Sequence, residues 1–217
     1  NNSFTFDGIR YLTNVYKSST TLKILELCNN RIGNDGAELL SKIFIHHSSL
    51  KEVRLDSNFI SNDGAKELGE SLQSNNTIEI ISLASNQIRV EGIERFCHFL
   101  RYNGCLKELN ISQNPLGPEG GKYVGEMLHF NTTLHILDIS NIQIVLNKQL
   151  QGLLAITEGI KRNKGLHTIY MKGNNLNNDH ALEIAFGLSG NHTIRTFDLD
   201  DNPIVSQWFQ PNTYLKT

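Results

Sequence analysis

The sequence predicts an α/β solenoid: a stack of short units, each a strand, a turn and a helix, with all strands in one parallel sheet. Three observations carry this reading. Leu22, Leu50, Ile78, Leu106, Leu134, Leu166 and Ile194 each open a run of the form apolar-x-x-apolar-x-apolar-x-x-Asn, and six of the seven complete it. Successive runs start 28, 28, 28, 28, 32 and 28 residues apart. Between runs, apolar residues recur at helical spacing, as in Ala65, Leu68 and Leu72. A unit this small cannot bury its own apolar face and must stack on its neighbours.

Residues 1–21 read as the helical half of a unit whose strand is missing or atypical, because Asp7-Gly8 aligns with Asp35-Gly36 and Asp63-Gly64. The unit from Leu50 to Asn76 shows the full layout. Leu50-Lys51-Glu52-Val53-Arg54-Leu55 ends in alternation, as a half-buried strand should. Asn58 and the residues to Gly64 form the turn, the Ala65–Leu72 pattern forms the helix, and Asn75-Asn76 ends it. Parallel strands need crossovers, and helices supply them. A helix is about 10 Å wide and strands lie about 4.8 Å apart, so the stack curves with its strands inside. The result is a horseshoe, with about seven short strands on the concave face and helices on the convex face.

The asparagine column is Asn30, Asn58, Asn86, Asn114, Asn174 and Asn202. An amide both donates and accepts, so a buried stack of them satisfies backbone groups where each strand ends. The fifth unit departs from the pattern. Ile142 stands in the column, and the unit is longer, with its extra residues near Val145–Lys148. This reads as a tolerated surface loop, with a partner site as the alternative. After Asn202-Pro203-Ile204 no full helical pattern follows; Trp208 and Phe209 read as a partial cap on the last unit or as end contacts for a partner. The chain is thus one domain over 1–217, with strand-bearing units over 22–202 and the partial cap over 203–217.

Apolar content of 39%, charged content of 19% and a formal net charge of -2 suit a folded chain and give no nucleic-acid footprint. No apolar run is long enough to span a membrane. The chain opens on Asn1 without an apolar leader, which reads as a fragment or a processed chain. Cys28, Cys97 and Cys105 form no disulfide framework and fit a reducing, cytoplasmic compartment. Sequons occur at Asn1, Asn75, Asn110, Asn131 and Asn191, three of them at the helix end of a unit, where Asn is a good left-handed cap; they read as a by-product of the repeat.

No catalytic, metal or cofactor constellation emerges. His135 and His167 fall on adjacent units, but no Cys or carboxylate joins them at ligand spacing. His46-His47 reads as an exposed helix end, and Cys97 as core. Gly33, Gly36, Gly117, Gly120 and Gly121 recur with the turn and read as serving tight backbone geometry, not a phosphate loop, since no Gly-Lys-Ser/Thr follows.

The segment Leu22, Leu25, Leu27, Asn30, Ile32, Gly33, Gly36, Ala37 follows L-x-x-L-x-L-x-x-N-x-I-G-x-x-G-A, and the motif recurs over 50–65, 78–93, 106–121 and 166–181. These residues resemble leucine-rich repeats, more narrowly those of the ribonuclease-inhibitor type. The resemblance covers essentially the whole chain and implies the leucine-rich-repeat solenoid and a binding role. The Cys-rich alternating units of ribonuclease inhibitors, the nucleotide-binding module of innate-immune receptors and the acidic tail of nuclear-transport GTPase activators are not seen in this sequence. Ser57-Asn58-Phe59-Ile60-Ser61 and Leu72-Gln73-Ser74-Asn75 are similar to actin cappers of the tropomodulin kind. Scaffold subunits of cilia and other cytoskeletal assemblies use similar arrays.

In such a fold three columns of side chains face the concave side. The third position holds Ile24, Glu52, Ile80, Glu108, Ile136, Thr168 and Thr196; the fifth Glu26, Arg54, Ser82, Asn110, Asp138, Tyr170 and Asp198; the seventh Cys28, Asp56, Ala84, Ser112, Ser140, Lys172 and Asp200. All three are expected to face solvent, with Ile24, Ile80 and Ile136 exposed. Tyr170 lies between Asp138 and Asp198 and reads as an anchor for a basic or amphipathic peptide. The expected contacts on this face are Ile24, Glu26, Arg54, Ile80, Asn110, Ile136, Asp138, Tyr170, Lys172, Asp198 and Asp200, against a reading in which Ile and Tyr are simply good strand formers. The second position, Lys23, Lys51, Glu79, Lys107, His135, His167 and Arg195, reads as a solvated rim near helix C-termini, with phosphate or an acidic partner as the alternative. The function expected is a non-enzymatic interaction module or scaffold, monomeric or part of a larger assembly, that takes a protein partner and neither nucleic acid nor membrane. The alternatives are a small-GTPase regulator acting through Arg54 or Arg89, and a cytoskeletal or ciliary subunit.

Overall fold

The structure, a computed structural model, describes residues 4–205, with backbone alone for 14–18. The chain alternates helix and strand throughout: α1 (Phe6–Ser18), β1 (Ile24–Glu26), α2 (Gly33–Phe44), β2 (Glu52–Arg54), α3 (Asn62–Ser74), β3 (Ile80–Ser82), α4 (Val90–Leu100), β4 (Glu108–Asn110), α5 (Gly117–Phe130), β5 (Ile136–Asp138), α6 (Gln151–Arg162), β6 (Thr168–Tyr170), α7 (Asn178–Ser189) and β7 (Thr196–Asp198). The strands form one parallel sheet in the order β1 to β7, each paired with the next at the same template position. This is the leucine-rich-repeat solenoid, with the sheet on the concave face and the helices on the convex face. Trp208, Phe209 and the expected cap lie outside the described residues.

Each strand is three residues long because only the centre of the template alternates. Its middle residue points at the helices: Leu25, Val53, Ile81, Leu109, Leu137 and Ile169 are all buried. They join Leu40, Leu68, Phe96, Val124, Ile156 and other helix residues in one continuous core. Removing this apolar surface from water is the main stabilising term.

The asparagine column works as expected. Asn86 accepts from the amides of Asn58 and Ile60 in the preceding unit, both at 3.0 Å. Its Nδ2 donates to the carbonyls of Leu55, Leu83 and Ala84. Asn174 repeats the pattern, accepting from Ile142 and Ile144. Where Ile142 breaks the column, the preceding unit closes on itself. The Leu116 amide donates to Asn114 O at 2.8 Å within that unit, while Gly117 keeps the ordinary bond to the next unit, donating to Ile142 O at 2.9 Å as Gly33 does to Asn58 O at 3.0 Å. Ile204 makes the same local bond to Asn202 O at 2.7 Å in the last described unit. Ile142 itself is fully buried, so the lost amide is replaced by packing.

A second ladder runs along the other edge, where the helices end. Asn75 donates to Phe44 O at 2.6 Å and accepts from the amides of Thr77 and Ile78. Asn103, Asn131, Asn163 and Asn191 repeat this. From the sequence, Asn75, Asn131 and Asn191 read as left-handed caps. Instead Asn75 and Asn131 are extended, with φ of -82° and -75°, because the side chain, not a twisted backbone, satisfies the helix end. Asn75 and Asn131 are buried with their amides engaged, which leaves no room for glycan attachment in the folded array.

In the first unit His47 occupies the place of that asparagine. It is buried rather than exposed, and its Nδ1 accepts from the amides of Ser49 and Leu50 at 3.4 and 3.1 Å; His46 beside it is exposed. His47→Asn should therefore be tolerated, whereas His47→Ala should cost about 1–3 kcal/mol by leaving buried amides without an acceptor. Urea unfolding of both variants checks this.

Helices α5 and α6 approach backbone to backbone. A Cβ added at Gly125 would lie 2.2 Å from the Ala155 carbonyl carbon, and one at Gly159 would lie 2.5 Å from Gly125 O. The inserted residues ahead of α6 form a tight turn. Asn147 and Lys148 have φ of 51° and 64°, and the Gln149 amide donates to Leu146 O at 2.9 Å. Two left-handed central residues closed by that bond are a type I′ turn.

Candidate functional site on the concave sheet

Along the inner strands the burial pattern is open–buried–open, so the third and fifth template positions face the concave side. Of the three isoleucines expected there, Ile24 is exposed at 51%, while Ile80 and Ile136 are half-buried. The difference is the number of neighbours. Ile80 sits between Glu52 and Glu108, and Ile136 between Glu108 and Thr168, but Ile24 lies on the edge strand and pairs on one side.

The seventh column differs from expectation. Ala84, Ser112 and Ser140 are buried, and in the fifth column Ser82 is buried as well. The cause is local bonding across units. Asp56 accepts from Ser82 Oγ, from the Ala84 amide at 2.9 Å and from Cys28 Sγ at 3.4 Å. Only the ends of that column stay open, at Cys28, Asp56, Lys172 and Asp200.

Charge is uneven over this face. The three columns hold seven carboxylates (Glu26, Glu52, Asp56, Glu108, Asp138, Asp198, Asp200) and two cations (Arg54, Lys172), a balance of -5 against -2 for the whole chain. Arg54 is held by Glu52 at 2.5 Å, with Glu26 at 3.9 Å. Arg89 precedes α4 on a different surface, so the structure does not bring the two arginines together. Lys172 lies 2.9 Å from Asp198 and 3.5 Å from Asp200. Lys172 and the Asp200 amide hold the Asp198 carboxyl below its usual range. Tyr170 is paired in register with Asp138 on one side and Asp198 on the other. Asp138 accepts from the Ser140 amide at 2.9 Å, and among the described residues no cation pairs with it. Asn110, in the middle of the face, is half-buried and accepts from the Ser112 amide.

The basic rim is partly self-neutralised. Glu79 bridges Lys51 and Lys107 at 2.7 and 2.6 Å. Hydrogen bonds from Lys107 and Lys51 pull its carboxyl down to about 2. Because the folded state binds the proton less tightly, this bridge stabilises above about pH 4.5 and is lost as pH falls toward 2. Lys107→Met should bring the Glu79 midpoint back toward its ordinary value, as read by carbon NMR. Further along the rim the rings of His135 and His167 stack, with centroids 4.8 Å apart and planes 19° apart.

Nothing in the thiols suggests a nucleophile. Burial pushes Cys97 up to about 12 and raises Cys28 and Cys105 as well. Among the described residues no three His, Cys, Asp or Glu side chains gather as a metal site, and no helix is long and apolar enough to cross a membrane.

The leucine-rich-repeat family model matches residues 18–41, 46–69, 74–97 and 102–125. No curated protein matches. Among solved structures, the tropomodulin C-terminal domain of Caenorhabditis elegans is 17% identical, with a TM-score of 0.58 over 71% of this chain and 92% of that one. The actin-binding site 2 of leiomodin-1 is 21% identical, with a TM-score of 0.57 over 73% of this chain and 88% of that one. At these identities the likeness is one of fold. Four stretches within residues 18–125 are leucine-rich repeats by sequence, and the described residues form a leucine-rich-repeat solenoid.

Proposed function

We propose that this chain is a non-enzymatic interaction module of the ribonuclease-inhibitor repeat type that binds a protein partner through its concave face. The observation that carries the reading is the open sheet itself, with its -5 balance and with Tyr170 set between Asp138 and Asp198. A tyrosine offers large contact area at low entropic cost, and the carboxylates beside it favour a basic or amphipathic segment. Ile24, Glu26, Arg54, Ile80, Asn110, Ile136, Lys172 and Asp200 complete the contact surface. The single domain, the capping role of residues 203–217 and a cytoplasmic location belong to the same reading. Tyr170→Ala should weaken capture of the partner about tenfold or more in affinity purification. It should leave thermal unfolding nearly unchanged, since Tyr170 is only half-buried. Unchanged capture would remove Tyr170 from the site.

A second reading is a cytoskeletal subunit that binds actin, favoured by the likeness to a leiomodin-1 segment described as an actin-binding site. Co-sedimentation with filamentous actin tests it: pelleting with the filaments supports actin as the partner, and a wholly soluble chain excludes filament binding while leaving the interaction module intact.

A further inference from the structure

The rim where the strands begin is built differently at its two ends. Over β2 to β4 the chain supplies its own counter-ion, Glu79, to Lys51 and Lys107. From β4 to β7 the row continues Lys107, His135, His167, Arg195, with no carboxylate in it. Loop residues Lys164 and His192, just ahead of β6 and β7, add two more basic groups, both exposed. The two imidazoles stack at 4.8 Å, and Lys107 and Arg195 stand one strand, about 4.8 Å, to either side. The carboxylate nearest in sequence, Glu108, belongs to the concave column between Ile80 and Ile136. Burial, then His167, then Lys107 all oppose protonation of His135. For both rings to be charged face to face an anion is needed beside them, and among the described residues the row provides none.

We propose that this end of the rim binds a phosphoryl oxyanion, free or as a monoester, held by His135, His167 and Arg195. A guanidinium forks onto two oxygens, and each protonated ring donates one charge-assisted bond. The rings must carry protons to do this, so acidification favours binding as the rings charge, until the ligand takes up its own second proton (pKa about 6 for a monoester) and loses charge. The site is separate from the concave face and does not depend on the reading above. One physical alternative accounts for the same residues: the carbonyl ends of α5 and α6 lie on this edge and favour cations by themselves. That alternative predicts no response to an anion.

Proton NMR of the histidines, titrated from about pH 8 to about pH 5, separates the two. It is run in chloride, in inorganic phosphate and in O-phosphoserine at matched ionic strength. The expected result is a rise of about 0.5 pH unit or more in the midpoints of His135 and His167 in phosphate, absent in Arg195→Ala and absent at His46 and His98. A matching rise in phosphoserine assigns the phosphoryl group as ligand; a rise in inorganic phosphate alone assigns the free ion. No rise, an equal rise at His46 and His98, or a rise that survives Arg195→Ala overturns the proposal.

Discussion

Gly125→Ala should lower the stability of the array by about 2–3 kcal/mol, because the added methyl has nowhere to go. Its nearest neighbours are backbone atoms of Ala155, at 2.2 and 2.3 Å, which cannot rotate aside as a side chain would. The helix must shift away from α6, and the packing of Leu128, Ile156 and Ile160 beneath it must shift too. Gly104 is the matched control. Nothing lies within 4 Å of a Cβ added there, so Gly104→Ala should be neutral or stabilise by up to about 1 kcal/mol through the unfolded chain. Urea unfolding monitored by circular dichroism gives both values. A Gly125→Ala variant as stable as the parent would mean that α5 and α6 pack more loosely than described.

The second large effect concerns the asparagine column. Asn86→Ala removes one side chain that accepts two backbone amides and donates to three carbonyls, all at the turn of a buried unit. Leaving even two of these groups buried and unpaired costs about 3 kcal/mol or more. Asn202→Ala should cost less, roughly 1 kcal/mol, since Asn202 is only half-buried in the last described unit and water can take over. The ratio between the two variants is the informative quantity. Equal effects would mean that the column contributes through local turn preference, not through bonds between units.

The period made the architecture legible because each unit repeats the same physical problem. Strand positions, the Asn30-to-Asn202 column and the site of the insertion all followed from where apolar and amide side chains recur. What stayed hidden was set by contacts between units. Ser82, Ala84, Ser112 and Ser140 are small residues on outward positions, and only the reach of Asp56 and the closeness of neighbouring strands bury them. The second ladder shows in the sequence as an Asn recurring at the helix ends, but local sequence alone points to a left-handed cap, because the partners lie about one period away, as Asn75 to Phe44 shows. His47 is hidden for the same reason; it plays an asparagine's part with a different side chain. Gly121, Gly125, Gly152 and Gly159 were plain in the sequence, yet their purpose required the distance between two helices.

The candidate surface was legible as columns and less so as exposure. Asp138, Tyr170 and Asp198 stand in register on adjacent strands as spacing alone places them. Arg54, expected as a free contact, is already engaged by Glu52, so a partner must compete for it. Lys172 is shared between Asp198 and Asp200 in the same way. The acidic balance survives both pairings, and it favours a basic segment as the proposed partner on the sheet.

The most direct test is site-specific photo-crosslinking in the presence of cellular partners. A photoreactive residue is placed at position 170 on the concave face and, separately, at position 154, which is exposed on helix α6. The account predicts a discrete crosslinked protein from position 170 that is lost at high salt and is not obtained from position 154. A crosslinked partner from position 154 with none from position 170 would contradict it and place recognition on the convex face.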